Sequence, residues 1–378
     1  MPPGAPIAMK LPEIRSTILR IEPYVPGKPI EEVQRELGID DVIKLASNEN
    51  PLGPSPRGVK ALQEAARRIH IYPDSNSYYL KEALSKHLGV APEQLILGNG
   101  SDEILRMLGE TFLIPEDEVI VSEHTFSVYQ FVARLMGAQD VVVPMKDYTF
   151  DLEAMAQAVS PKTKMVFICN PNNPTGTFVG VEELERFLDA VPPRVLVVMD
   201  EAYYEYVDDP AYPDTVAMLP SRKNLVVLRT FSKIYGLAGL RVGYGIGDPE
   251  VIAAINRVRE PFNVNSLAQA AALAALTDEE FLEESRAVNR AGKAFLYQEF
   301  ERLGLSYLPS ESNFILVNVG MDSRKFMGAM LKRGVIIRAG DSFGLPGFIR
   351  VTVGREQDNR RFIDALIDVL SKEGGVTL

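Results

Sequence analysis

Five short runs constrain what this chain can fold into: Val119-Ile120-Val121, Val141-Val142-Val143, Met165 to Cys169, Val195 to Met199 and Leu225 to Leu228. Each is nearly all apolar and rich in β-branched residues. A strand with one wet face alternates apolar and polar residues, whereas unbroken apolar runs mark strands buried on both faces, as in parallel sheets covered by helices. Segments of helical period lie between them. Val59, Leu62, Ala65, Ala66 and Ile69 share one face, Tyr79 to Leu88 repeats the pattern, and Ser101 to Phe112 and Val181 to Ala190 read as further helices. Gln94 to Leu97 reads as one more strand. The alternation predicts βαβ units. From about residue 265 the character changes to a long helical region, Ala268 to Arg302. Two strands follow, Phe314 to Val319 and Phe348 to Val353, around a helix from Ser323 to Arg333. The expected organisation is an N-terminal arm (1–40) belonging with the smaller domain, a large α/β domain (41–265) and a smaller α+β domain (266–378).

The bulk properties exclude several functions. The 378 residues suit about two domains, and 46% apolar with 24% charged residues is ordinary for a soluble globular protein. A net charge of −11 argues against a nucleic-acid binder. No apolar stretch approaches the roughly 20 residues needed to cross a bilayer. Met1-Pro2-Pro3-Gly4-Ala5-Pro6 has no cationic region leading into an apolar core, which predicts no signal peptide. The single cysteine, Cys169, can form no internal disulfide, suits a reducing cytoplasm and reads as a small core residue. His70, His87 and His124 lack metal-ligand spacing, so no zinc site is expected.

Chemistry concentrates where the apolar runs end. Active groups in open α/β sheets gather at the carboxyl ends of strands. Gly98-Asn99-Gly100-Ser101-Asp102-Glu103 joins a strand to a helix, either as an ordinary capped start or as an anion cradle of exposed N–H groups. Asn170 to Gly176 is dense in turn formers, yet Asn173 would place an amide at the sheet edge. Asp200 ends its run as a partly buried carboxylate or caps the next helix. Lys233, in Arg229-Thr230-Phe231-Ser232-Lys233, is either a surface lysine past a strand or an amine held for covalent use. Arg241, eight residues on, could grip a phosphate with its guanidinium fork. An anion cradle, an amide, a buried acid, an amine and an arginine are the set that pyridoxal phosphate requires. Gly243-Tyr244-Gly245-Ile246-Gly247 has the wrong spacing for a dinucleotide fingerprint, and no strand precedes it within a clear βαβ unit.

These stretches, with Leu45 to Gly53, Tyr72-Pro73-Asp74, Asp200 to Tyr203 and Ile349 to Gly354, resemble the fold-type-I pyridoxal-phosphate aminotransferases over nearly the whole chain. Within that family the likeness is to members acting on histidinol phosphate. The resemblance implies a large domain with a mostly parallel seven-stranded sheet between helices, beside a smaller α+β domain. It implies that Lys233 holds the cofactor as a Schiff base and then shuttles the proton, and that Asp200 pairs with the pyridine nitrogen. Tyr203 and Asn173 would bond the ring hydroxyl. Gly100, Ser101, Asp102, Thr230, Ser232 and Arg241 would surround the phosphate, and Phe126 would stack on the ring. Tyr72 would reach the phosphate of a neighbouring subunit's cofactor, implying a homodimer with shared sites. Arg350, Arg338, Tyr24 and Asn48 would face the substrate.

The implied reaction is ping-pong transfer from L-histidinol phosphate to 2-oxoglutarate, giving imidazole acetol phosphate and L-glutamate, a step of histidine biosynthesis. Two arginines suit a site that takes a phosphate from one donor and carboxylates from the other; surface or interdomain pairing is their alternative role. The family's aromatic segment usually begins with proline, and here it begins with His124. That histidine is either a packing residue or a specificity determinant. Aromatic amino-acid transamination and threonine-phosphate decarboxylation stand as alternatives on the same scaffold, and a catalytically silent interaction protein stands outside it.

Overall fold

The computed structural model describes residues 14–21 and 27–373. Its strands in chain order are β1 (Ile43–Lys44), β2 (Leu95–Gly98), β3 (Glu118–Ser122), β4 (Gln139–Val143), β5 (Thr163–Cys169), β6 (Leu196–Asp200), β7 (Leu225–Thr230), β8 (Gly243–Gly247), β9 (Tyr307–Leu308), β10 (Phe314–Asn318), β11 (Val335–Ile336), β12 (Arg338–Ala339) and β13 (Phe348–Thr352).

Seven strands form one sheet in the order β2-β8-β7-β6-β5-β3-β4. The pairings from β7 through β4 are parallel, and β8 runs antiparallel to both of its neighbours. All five apolar runs are strands of this sheet. β6 and β7 are buried at every position, which is why they carry no alternation. The run Val141 to Val143 is the exception. As β4 it is the sheet's edge, where Val142 is 43% exposed and Val143 alone is buried.

The glycine-rich stretch expected to lie outside any βαβ unit is itself the strand β8. Its glycines make room. A Cβ on Gly243 would stand 2.6 Å from the amide nitrogen of Ser101, and one on Gly245 would crowd Ile96, Leu228 and Ile104. Helix Ser101–Phe112 therefore packs close over β2 and β8. The long helical region expected from Ala268 to Arg302 consists of two helices, Ser266–Ala275 and Glu279–Arg302. Asp278, between them, accepts a hydrogen bond from Ser55 Oγ (2.6 Å) and pairs with Arg57 (3.3 Å). The side chain that could have lain along a helix is committed to a neighbouring segment. The helical period does not change across the break, so the sequence pattern does not mark it.

One apolar core surrounds the seven-stranded sheet and takes in Ala268, Ala271 and Ala272 from helix Ser266–Ala275, which packs on helix Pro56–Ala65. A second core lies on the antiparallel sheet β12-β13-β10-β9, with Leu296, Phe300, Phe326, Phe362 and Leu366 supplied by its helices. Fully burying each such side chain contributes about 1.5–3 kcal/mol before entropy is counted. β1 pairs in parallel with β11, and Leu45 lies in the second core. The segment after Leu45 is thus anchored to the smaller sheet while it runs on toward the larger one.

Candidate active site

Parallel strands bring their carboxyl ends to one edge, so the segments that leave β2, β3, β5, β6 and β7 converge there. The antiparallel β8 begins where those strands end. Gly243 is paired with both Gly98 and Thr230, the last residues of β2 and β7, and so Arg241 comes to the same edge.

Lys233 is half-buried, three residues past the end of β7. Its Nζ donates to the carbonyl oxygen of Ser47 (3.3 Å) and lies 5.5 Å from the centre of the Tyr203 ring. Burial, with the nearby Arg350 and Arg241 cations, pushes its amine down to about 8, against the pull of Glu49 and Asp102. Such a lysine keeps a sizeable neutral fraction near physiological pH, far more than an ordinary lysine, and the neutral form is the nucleophile.

Asp200 is the last residue of β6 and is buried. Its Oδ2 accepts a hydrogen bond from the Tyr129 hydroxyl at 2.7 Å, while Oδ1 is buried without a partner. Burial pushes the carboxyl up to about 6, and the bond from Tyr129 opposes that rise. A buried carboxylate with one vacant oxygen is the arrangement a cationic ring nitrogen would complete, and the cation would draw the carboxyl back down. Tyr129 is held rigidly, stacked on Phe167 (4.8 Å, 10°) and edge-on to Phe126 (5.7 Å, 84°).

Asn48 adopts a left-handed backbone (φ 56°), which asparagine tolerates better than most residues. Its Nδ2 donates to the Tyr203 hydroxyl (2.8 Å), its N–H donates to Thr352 Oγ1 (3.0 Å), and Thr352 Oγ1 in turn donates to Asn48 Oδ1 (3.1 Å). Burial holds the Tyr203 hydroxyl in its protonated form. Arg350, on β13, is buried and donates to Asn173 Oδ1 and to the carbonyl of Ala46 (2.6 Å). Its guanidinium carbon lies 5.3 Å from each of the Phe314 and Phe343 rings. Arg338 sits directly opposite Arg350 on β12, with Nε donating to Ser342 Oγ (3.2 Å).

The cradle is built at the start of helix Ser101–Phe112. Its N-cap, Gly100, supplies no side-chain acceptor to the first-turn N–H groups, which are the donors an anion would meet. Gly100 also needs its positive φ of 79°, and a Cβ there would stand 2.6 Å from Arg241 Nη2. Arg241 pairs with Asp102 at 3.2 Å in a half-exposed contact, a weak bond by its surroundings. Thr230 and Ser232 are buried beside it, with Ser232 N–H donating to Thr230 Oγ1 (3.1 Å).

The structure therefore brings the linked pairs Tyr203–Asn48 and Asn173–Arg350 to the sheet edge where Asp200 ends β6 and where Lys233 bonds Ser47 beside Asn48. Gly100, Ser101, Asp102, Thr230, Ser232 and Arg241 lie at the same edge. Phe126 is half-buried against Tyr129. Tyr72 stands apart, 79% exposed and stacked on Phe262 (4.7 Å, 22°). Tyr24 lies outside the described residues. Sequence reasoning assigned no role to Tyr129, Thr352, Phe314 or Phe343. Tyr129 follows Phe126 by three residues, a helical spacing that could have linked the two rings; the other three carry no local signal because their partners at the site are not their near neighbours in the sequence.

A buried carboxylate with a vacant oxygen, a depressed lysine, and an uncapped helix start beside an arginine fit pyridoxal phosphate. The profile of the family "Aminotransferase class I and II" matches residues 40–366. The histidinol-phosphate aminotransferase of Moorella thermoacetica is 59% identical over 362 residues, covering 96% of this chain and 94% of that protein. The enzyme of the same name from Symbiobacterium thermophilum is 50% identical over 353 residues, with 93% and 97% covered. Among solved structures, histidinol-phosphate aminotransferase from Sinorhizobium meliloti in complex with pyridoxal-5'-phosphate superposes with a TM-score of 0.88 at 29% identity, covering 96% of this chain and 99% of that one.

Proposed function

The chain belongs to the class I and II aminotransferases, and we propose that it transfers the amino group of L-histidinol phosphate to 2-oxoglutarate, giving imidazole acetol phosphate and L-glutamate, a step of histidine biosynthesis. The observation that carries the choice of substrate is near-full-length likeness to the Moorella histidinol-phosphate aminotransferase. The pair Arg338 and Arg350 agrees with it, since two guanidiniums facing each other on adjacent strands can accept a phosphate in one half-reaction and carboxylates in the other.

Pyridoxal 5'-phosphate, when bound, supplies an electrophilic carbonyl carbon and a cationic ring that takes up the electrons left when the substrate loses its α-hydrogen. The chain's own residues do the rest. Asp200 Oδ1 keeps the ring nitrogen charged, and Tyr129 fixes which oxygen faces it. Tyr203 and Asn173 hold the ring hydroxyl, with Asn48 orienting Tyr203. The N–H groups at Gly100 to Asp102, with Thr230, Ser232 and Arg241, bind the phosphate; Phe126 covers a ring face. Lys233 Nζ first holds the cofactor and then moves the proton from the amino-bearing carbon, a task suited to an amine pushed down to about 8. Arg350, flanked by two aromatic rings, binds the substrate's anionic end.

The exposed side chains Ile69, Ile71, Tyr72, Tyr78, Tyr79 and Phe262 support assembly with a second copy of the chain. In that homodimer Tyr72 reaches the partner's cofactor phosphate. The division into an arm (1–40), a cofactor domain (41–265) and a smaller domain (266–378) is part of the same reading, as is Tyr24 on the substrate side. Among the described residues no helix is long and apolar enough to cross a membrane, and we place the reaction in the cytoplasm. The test is a kinetic comparison of histidinol phosphate, phenylalanine and threonine phosphate, by amino transfer to 2-oxoglutarate and by CO₂ release. A kcat/KM for phenylalanine above that for histidinol phosphate, or CO₂ release from threonine phosphate as the main activity, would overturn the proposal.

A further inference from the structure

We propose that His124 is a positioning residue for the substrate's anionic end, acting through Phe343; this rests on the transaminase reading above. His124 leaves the carboxyl end of β3, and its side chain is only 15% exposed. Its Nδ1 lies 2.8 Å from the carbonyl oxygen of Phe343, the last residue of the turn Gly340–Phe343 between β12 and β13. A carbonyl only accepts, so Nδ1 carries the hydrogen. The imidazole also packs on Gly344, where a Cβ would stand 3.3 Å from Nδ1.

The backbone of the same residue is tied elsewhere. The carbonyl of His124 accepts from Asn172 Nδ2 (2.8 Å), and Asn172 precedes Asn173, the acceptor of Arg350. His124 therefore joins the loop that meets Arg350 on one side to the turn that meets it on the other. The Phe343 ring is the far end of this connection. It lies 5.3 Å from the Arg350 guanidinium carbon and 5.9 Å from that of Arg338, within cation–π reach of both. Holding the Phe343 backbone in place fixes that ring against the two cations, and with it the room and orientation they offer an incoming anion. Without the bond the turn must find its place by packing alone, and an arginine pair that is less well placed binds both kinds of anion less tightly.

The test uses the pyridoxal-phosphate-loaded protein in three variants. His124→Leu removes the donor. His124→Asn keeps an N–H donor near the Nδ1 position but has nothing at Nε2, which stands 3.7 Å from Glu123 in the native chain. Phe343→Ala removes the ring without touching His124. KM and kcat are measured for histidinol phosphate and glutamate, and the affinities of inorganic phosphate and succinate by calorimetry. Loss of one hydrogen bond should raise both KM values and weaken both anions by about three- to tenfold in His124→Leu, with kcat changed by less than about twofold. Phe343→Ala should weaken both anions too, and His124→Asn should stay near the native values. Native KM values and anion affinities in His124→Leu, or an Asn variant as weak as the Leu variant, would overturn the proposal. If the native protein transaminates neither donor, the proposed function fails, and the calorimetry still decides the role of His124.

Discussion

Tyr129 donates its hydroxyl hydrogen to Asp200 Oδ2 at 2.7 Å and leaves Asp200 Oδ1 buried without a partner. The bond decides which carboxylate oxygen faces the site and favours the ionised form that a cationic ring nitrogen needs. Tyr129→Phe deletes one oxygen from a fully buried ring that stays packed on Phe167. A hydrogen bond to a charged group contributes about 1.5–3 kcal/mol, so pyridoxal phosphate should bind about ten- to a hundredfold more weakly. Cofactor titration of the apoprotein reads this, with circular dichroism confirming an unchanged fold. Native affinity in Tyr129→Phe would remove the tyrosine from the cofactor machinery.

Asp200 also predicts how the apoprotein responds to pH. Its carboxyl is pushed up to about 6 in the fold, above the usual value near 4 in the unfolded chain. A group with a raised folded value favours the fold below the unfolded value, and that contribution is lost as pH rises through about 6. Asp200→Asn should therefore stabilise the apoprotein relative to the native chain at pH 8, by up to about 3 kcal/mol, and give little advantage at pH 4. Thermal unfolding at the two pH values measures it. Cofactor binding should reverse the order at pH 8, because only the carboxylate can pair with the ring nitrogen.

Lys233 is depressed by burial first and by the Arg350 cation second. Capture of pyridoxal phosphate by the apoprotein needs the neutral amine, so its rate should rise with pH through about 8. Arg350→Ala removes a neighbouring positive charge that disfavours the ammonium, and the same profile should move to higher pH. Stopped-flow absorbance at several pH values gives the midpoint. A midpoint that moves down, or not at all, would show that Arg350 does not act on the lysine.

Gly100 and Gly38 separate backbone strain from cofactor binding. Both have positive φ, 79° and 65°, but a Cβ on Gly100 meets Arg241 Nη2 at 2.6 Å whereas one on Gly38 meets nothing within 4 Å. Alanine at either position should cost about 1 kcal/mol or more of stability. Only Gly100→Ala should also weaken cofactor binding, since it pushes the guanidinium away from the helix start. Unfolding and cofactor titration of the two variants test the difference.

Much of this was legible in the sequence, for identifiable reasons. A doubly buried strand cannot hide, because both faces must be apolar; β3, β5, β6 and β7 announce themselves, and the residue after each run is then placed at the sheet edge. The edge strand β4 carries the same valines with a different burial, since apolar composition does not say how many neighbours a strand has. β8 was unreadable for the opposite reason: its glycines answer to the approach of helix Ser101–Phe112, a contact between segments distant in sequence. The arginines were legible as candidates, but their environment was not. Phe314 and Phe343 flank Arg350 only once β10, β13 and the turn Gly340–Phe343 of the smaller sheet come together. The carbonyl of Ala46 reaches it from a segment 304 residues away, and Tyr129 joins Asp200 across 71 residues.

On the proposed reading, Lys233 holds the cofactor at the carboxyl edge of the sheet. The most direct test of this is reduction of the purified, pyridoxal-phosphate-loaded protein with borohydride, followed by digestion and mass mapping. The expected result is a single phosphopyridoxyl group on Lys233, with no comparable labelling of any other lysine and none in Lys233→Ala. Labelling of a different lysine, or equal labelling of Lys233→Ala and the native chain, would contradict the account.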